Sequence, residues 1–431
     1  MKPIILPYPD ALPQAASWTL CIDGNVVPVF ELETTRFAHV AFEGPAVLEV
    51  RCECCWLGVV VRPARTDINS SVTGTTLRLE LPRPLDLCID LPGHKPLMLY
   101  ADDPRELPRA QGELLRLEPG KVHAVDRLDL RSGQTLLIEP GAILRGVVRA
   151  RHACDVAIVG RGMIDGGCTL ATPLSRRKLV QLEDCRHVLV DGPLMIRPAS
   201  WMLALAACEN VHVRRVRQIG EIVTSDGIDI VGSRHVRIDN CFLKNNDDCV
   251  AIKAIAGGDY QFLDSDPAHD VFDVCVERCV LWNDRAGNVM EIGFETRCDS
   301  IGDVIFRDID VIGAHGYGGV FTIHNGDRAI VRDILYEDIR VEHMYDRMVD
   351  FQVLHSRYSR DAARGRIRNV TLRRVRTLPD QYNTLNLLGG YDAAHTVENI
   401  TFDDVWIGER RVRGPDDLGL FTRHADHLAF I

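Results

Sequence analysis

The sequence predicts an all-β protein: a small β-sandwich-like module over residues 1–112, followed by a parallel β-helix over residues 113–431. Three observations lead there. Short alternating strands fill the first hundred residues. A strand–turn unit then recurs every 23 to 30 residues, and helical periodicity is almost absent throughout.

The first module reads as WTLCID, VVPVFEL, HVAFE, AVLEVRC, LGVVVRP, TLRLEL and LDLCIDL, separated by turns. Strands at about 8–12-residue spacing suit a sandwich. The segment 101–113, ADDPRELPRAQGE, has two prolines and no apolar period, and marks the boundary. Beyond it come LVQLEDCRHVLVDG, LALAACENVHVRRV and GIDIVGSRHVRIDNC, then VFDVCVERCVL, IGDVIFRDIDVIG, IVRDILYEDIRVE, RIRNVTLRRV and VENITFDDVWIG. Val188, Val211 and Val236 are 23 and 25 residues apart at matching places in these units. One unit cannot bury its own apolar face, so stacking is required. The LxxLxLxxN frame of leucine-rich repeats is missing, and an array of sandwiches would not explain the recurrence.

Composition narrows the function. Hydrophobic residues are 46% and charged residues 26%, as in globular proteins. A net charge of −11 argues against a nucleic-acid partner, which needs clustered cations. No apolar run approaches the roughly 18 residues of a membrane span. The N-terminal MKPIILPYPDALPQAA has no signal-peptide apolar core, so a cytoplasmic location is expected. The fourteen cysteines are read as buried free thiols. Cys52, Cys54 and Cys55 lack paired zinc spacing, and the fifteen histidines show no HExxH pattern. No metal or cofactor is expected.

The most informative stretch is 224–254, TSDGIDIVGSRHVRIDNCFLKNNDDCVAIKA. Asp226 precedes one alternating strand; Asp247 and Asp248 precede the next, 21 and 22 residues on. One lap of the coil separates them, and stacked strands lie about 4.8 Å apart. Three carboxylates would then share a patch, where mutual repulsion raises at least one pKa. One protonated and one ionised carboxyl are the two groups a glycosidase needs. The alternatives are turn aspartates capping backbone amides, as expected for Asp239, Asp303, Asp308 and Asp333, or calcium ligands.

These motifs resemble the NTDGIDI and GDDCIAIK pair of the polygalacturonases, glycoside hydrolase family 28. SGQTLLIEPGAILRG (132–146) and VGRGMIDGG (159–167) extend the likeness over about 114–431. The resemblance implies a right-handed, pectin-lyase-like β-helix and an inverting hydrolase, with carboxyls about 6.5–9.5 Å apart. It implies Asp247 as the general acid, with Asp226 and Asp248 holding the attacking water.

The departures bear on substrate. Where the family has a Gly-His-Gly, AGNVMEIGFETR (286–297) places Asn288. Where the family has Arg-Ile-Lys to grip a uronate, FTIHNGDR (321–328) places Thr322 and His324, with Arg328 close by. Losing both cations predicts a neutral sugar. MEIGFETR also resembles family 49, the dextranases and isopullulanases, which place a sandwich ahead of a β-helix.

Lys253, Asn288, Glu291 and His324 are the expected substrate-binding residues. Glu295, Trp201, Tyr317, Tyr382 and Tyr391 are further candidates for the groove. Lys253 could instead pair with Asp229, and Glu291 with Arg285 or Arg297. The expected partner is an oligo- or polysaccharide. A polysaccharide lyase or a non-catalytic sugar-binding solenoid are the rival readings; the sequence leaves the oligomeric state open.

Overall fold

The computed structural model describes residues 2–106, 111–168, 177–256, 263–379 and 385–431; Tyr382 falls outside them. Among the described residues the chain is all-β apart from one short 3-10 turn and the helix Pro415–Leu418.

Two sheets form the N-terminal sandwich. One orders Ile4–Ile5, Arg36–Ala41, Leu97–Asp102, Leu87–Asp90 and Val60–Arg62, with Phe30–Glu31 alongside Arg36–Ala41. The other orders Asn25–Val27, Trp18–Ile22, Ala46–Cys52, Thr76–Leu81 and Ser70–Thr73. Thr76–Leu81 alternates exposed and buried residues, as a half-buried strand should. Arg36–Ala41 and Leu97–Asp102 are buried at every position. Ala38, Val40, Leu97 and Leu99 face the sandwich core. Phe37, Met98 and Tyr100 join Ile143, Met163, Leu194, Ile196, Ile219 and Phe242 of the coil in a second core.

From Glu113 onward the chain winds as a right-handed parallel β-helix. Each lap adds one strand to each of three ladders. One ladder runs Val180–Glu183, Leu203–Ala206, Ile228–Val231, Val250–Ala254, Met290–Thr296, Gly319–Asn325 and Arg347–Val353, each bonded to the next. On a second ladder Val188, Val211 and Val236 are consecutive partners, at the spacing read from the sequence. Inward side chains form one continuous apolar core along the axis.

Sandwich and coil are also joined by charge. Arg217 of the third ladder bonds Asp86 at 2.7 Å and Asp102 at 2.8 Å, both on the sandwich. His39 bonds Asp102 at 2.7 Å, and Arg62 bonds Glu342 at 2.9 Å. A cavity of about 780 Å³ opens beside this joint. Arg161, Arg215 and Arg217 on its wall are already paired with Asp102, Asp191 and Asp86.

Twelve cysteines are free thiols, as expected, and eight of those are buried. Cys52 and Cys54 depart from the expectation: they form a disulfide at a strand end, where residues two apart share a side.

Candidate active site

Ile228 pairs with Val250, Val250 with Met290 and Met290 with Phe321 on the first ladder. Counting back two positions sets Asp226, Asp248, Asn288 and Gly319 in one row at the strand starts. Trp201 precedes Asp226 in that row, because Leu203 pairs with Ile228. The coil thus gathers the three aspartates: one oxygen of each lies within 4.8 Å of one on each of the others. Asp247 and Asp248 are neighbours in sequence, and Asp226 is one strand spacing away. Asp303, Asp308 and Asp333 take left-handed backbone and none of the trio does, while Asp247 and Asp248 accept the backbone N–H groups of Asp248 and Asn288.

Each member of the trio has a different environment. Asp247 is the most reachable, only partly buried. Burial pushes its carboxyl up to about 10, with Asp226 and Asp248 adding repulsion. Asp248 accepts the backbone N–H of Asn288 at 2.6 Å; burial and Asp226 still raise its pKa. Asp226 Oδ2 receives Lys253 Nζ at 2.8 Å, and the same ammonium lies 2.9 Å from Asp229 Oδ1. Burial opposes the charge on Lys253, but Asp226 and Asp229 outweigh it and raise its pKa. Lys253 and Lys178 both lie against the Trp201 ring, at 4.4 and 3.9 Å.

The four residues expected to bind sugar are all buried and bonded to protein groups. Lys253 is held as above. Asn288 donates to Asp248, and its Oδ1 accepts the Gly319 N–H at 2.9 Å. Glu291 is fully buried and bonds His324 Nδ1 at 3.0 Å, rather than Arg285 or Arg297. His324 Nε2 lies 3.4 Å from Asp350, and Phe294 stacks on the ring at 4.3 Å. Burial alone would lower the His324 pKa; Glu291 and Asp350 outweigh it and push it up to about 10. Thr322 donates to the Met290 carbonyl at 3.0 Å. Arg328 is drawn away by Asp361 at 2.8 Å and Asp299 at 3.2 Å.

Sequence reasoning missed the supporting residues. Asp350 pairs in register with Thr322, one lap on, and closes the Glu291–His324 network; Arg347 bonds Asp350 from the same strand. Only the alternation of MVDFQV pointed to it. Asn283 donates to the Asp247 carbonyl at 2.8 Å and accepts the Gly316 N–H at 2.9 Å. It therefore ties the Asp247 turn to the turn bearing Tyr317, which is 94% exposed. Glu221, on the turn before Asp226, accepts Thr34 N–H and Thr34 Oγ1–H from the sandwich, each at 2.7 Å. The Glu221 carbonyl in turn accepts Asn246 Nδ2 at 2.6 Å, next to Asp247.

Comparison with known proteins gives the family and the fold. The model of the glycosyl hydrolases family 28 matches residues 159–412. A polygalacturonase from Chamaecyparis obtusa is 25% identical over 114 residues, 23% of this chain and 22% of that protein. The chain thus matches about a fifth of that curated relative's length. Among solved structures, Dex49A from Penicillium minioluteum is similar over 99% of this chain and 96% of its own, with TM-score 0.65 and 11% identity. A hyperthermoactive exopolygalacturonase from Thermotoga maritima covers 74% and 84%, with TM-score 0.57 and 16% identity. At these identities the structural likeness speaks for the fold.

Proposed function

The chain belongs to the glycosyl hydrolases of family 28, and from that premise we propose that it hydrolyses a glycosidic bond at a neutral sugar with inversion. Asp247 gives its proton to the leaving oxygen as the bond to the anomeric carbon breaks. Water attacks that carbon from the opposite side, and its proton passes to the Asp226–Asp248 pair. Asp247 suits the acid role because burial and its two neighbours keep it protonated at neutral pH. Asp226 suits the base role because an ammonium sits on it.

One observation carries the neutral-sugar reading. The cationic side chain on the strand where a uronate would be gripped is His324, and its charge is spent on Glu291 and Asp350. Arg347 is spent on Asp350 and Arg328 on Asp361. A uronate carboxylate arriving there would face groups already neutralised, and desolvating it without a partner is unfavourable.

A retaining enzyme, in which Asp226 or Asp248 would attack the sugar, is the rival that product stereochemistry tests. A panel of neutral and galacturonate oligosaccharides, with product anomers followed by NMR, decides both points. Expected are an inverted product from a neutral substrate and a loss of about 10³-fold or more in Asp247→Asn. Retention rejects the single displacement, and preference for galacturonate rejects the neutral substrate. Ultraviolet-absorbing unsaturated product would mark a lyase instead.

A further inference from the structure

Three carboxylates this close cannot all ionise, so something must decide which one loses its proton. The first-ladder strand Val250–Ala254 supplies the candidate. Lys253 pairs in register with Val231, three positions beyond the strand start, and its side chain is buried. From there Nζ reaches back to Asp226 Oδ2 at 2.8 Å and to Asp229 Oδ1 at 2.9 Å. The hydrogen bonds that Asp247 and Asp248 receive come from a backbone N–H in one case and from Asn288 in the other. Among the described residues, an ammonium lies within 4 Å of Asp226 and of neither Asp247 nor Asp248.

The surroundings leave Lys253 little freedom. Trp201 lies 4.4 Å from Nζ, and the ring also carries Lys178 at 3.9 Å. The charged groups acting on Lys253 are Asp226, Asp229, Glu295 and Asp248. Asp229 lies wholly buried three residues after Asp226, so a second carboxylate anchors the ammonium from below. A lysine fixed between two carboxylates and an aromatic face is a poor ligand for sugar hydroxyls. It is well placed to bias the charge of the carboxylate it touches.

We propose that Lys253 is a positioning residue that keeps Asp226 the ionised member of the trio, so that the shared proton resides on Asp247. The inference rests on the hydrolase reading above and assigns Lys253 to charge sorting instead of substrate binding. It also explains why a lysine at the fourth position after the Asp-Asp-Cys motif faces outward yet is buried. Its charge serves the neighbouring lap.

The test compares wild type with Lys253→Met, Lys253→Arg and Asp229→Asn, each checked for a native thermal melt. Aspartate carboxyl carbons are labelled and the Asp226 signal is assigned through Asp226→Asn, without any sugar present. At neutral pH the Asp226 carbon should carry the ionised chemical shift in wild type and Lys253→Arg, and move toward the protonated value in Lys253→Met. With a hydrolysed substrate in hand, the acidic limb of kcat/KM should move up by about one pH unit or more in Lys253→Met, since an adjacent opposite charge is worth about 1–3 units. An Asp226 signal indifferent to Lys253→Met overturns the proposal. So does a raised KM with an unmoved pH profile, which would mark a substrate contact. Should Lys253→Met not fold, Asp229→Asn carries the test: with the competing carboxylate gone the Asp226 signal must stay ionised to lower pH, and a change the other way overturns the proposal. The carbon signal is read without substrate, so it can fail while hydrolysis stands. Absence of hydrolysis across the panel instead removes the reading beneath it.

Discussion

His324 shows what a single substitution does to a groove. In the polygalacturonase pattern its position carries a cation free to meet the substrate. Here Glu291, one lap earlier, and Asp350, one lap later, take up the charge. Burial works against the imidazolium, and the two carboxylates prevail, so the pKa in the folded chain is about 10. The unfolded value is about 6.5. The folded value is the higher one, so the stabilisation is complete below about pH 6.5 and is lost as pH rises through about 10. Replacing His324 by Leu strands the buried Glu291, while Asp350 keeps Arg347 and Gln352, and should cost about 3 kcal/mol at pH 6. Thermal melts of both proteins should show a wide gap at about pH 6 and a narrow one at about pH 10. A constant gap would mean the ring acts by packing alone. The aspartate trio was legible in the sequence because its spacing matches one lap. The partners of Glu291 and His324 were not legible, since an alternating strand says which residues point outward and not which laps they bridge.

At the level of the turn, two kinds of aspartate separate cleanly. Asp303, Asp333, Asn369 and Asn399 take left-handed backbone at successive laps of the second ladder, and Asp308 and Asp338 do so at the turn that follows. Asp and Asn tolerate that conformation better than most residues, which explains their recurrence in the repeat. The clustered Asp247 and Asp248 sit instead where the turn approaches them from the next lap. Gly287 has φ of 65°, and a Cβ there would lie 2.3 Å from Asp247 Oδ1 and 2.6 Å from Asp248 Oδ1. Gly287→Ala should therefore displace the doublet, lowering kcat by about 10²-fold while the circular dichroism of the coil stays native. Unchanged kcat would show that the doublet has room to move. The sequence marked the Asp-Asp turn as special; the pressure from residue 287 depends on an inserted stretch of variable length that periodicity does not resolve.

The whole molecule is a coil with one side closed by a sandwich. Strand spacing in the first hundred residues predicts that module, but not that its six-stranded sheet is buried on both faces. The full burial of RFAHVA and LMLYAD is the physical sign, and those runs are too short to tell a two-sided strand from a one-sided one. Stripping residues 1–112 would expose Ile143, Met163, Leu194, Ile196, Ile219 and Phe242 together and leave Arg217 without Asp86 and Asp102. Such a patch drives association. Residues 113–431 produced alone should elute as aggregates in size-exclusion chromatography and lack activity. A monomeric, active fragment would show that the sandwich is dispensable.

The grip of Thr34 on Glu221 gives that joint a role in timing. Whenever the two modules part by even an ångström, the loop bearing Asp226 loses its outside anchor and the neighbouring Asn246 loses its support. Breathing between the halves would register as missed turnovers long before the spiral itself unwinds, so heat should silence this enzyme while most of its β-structure is still intact.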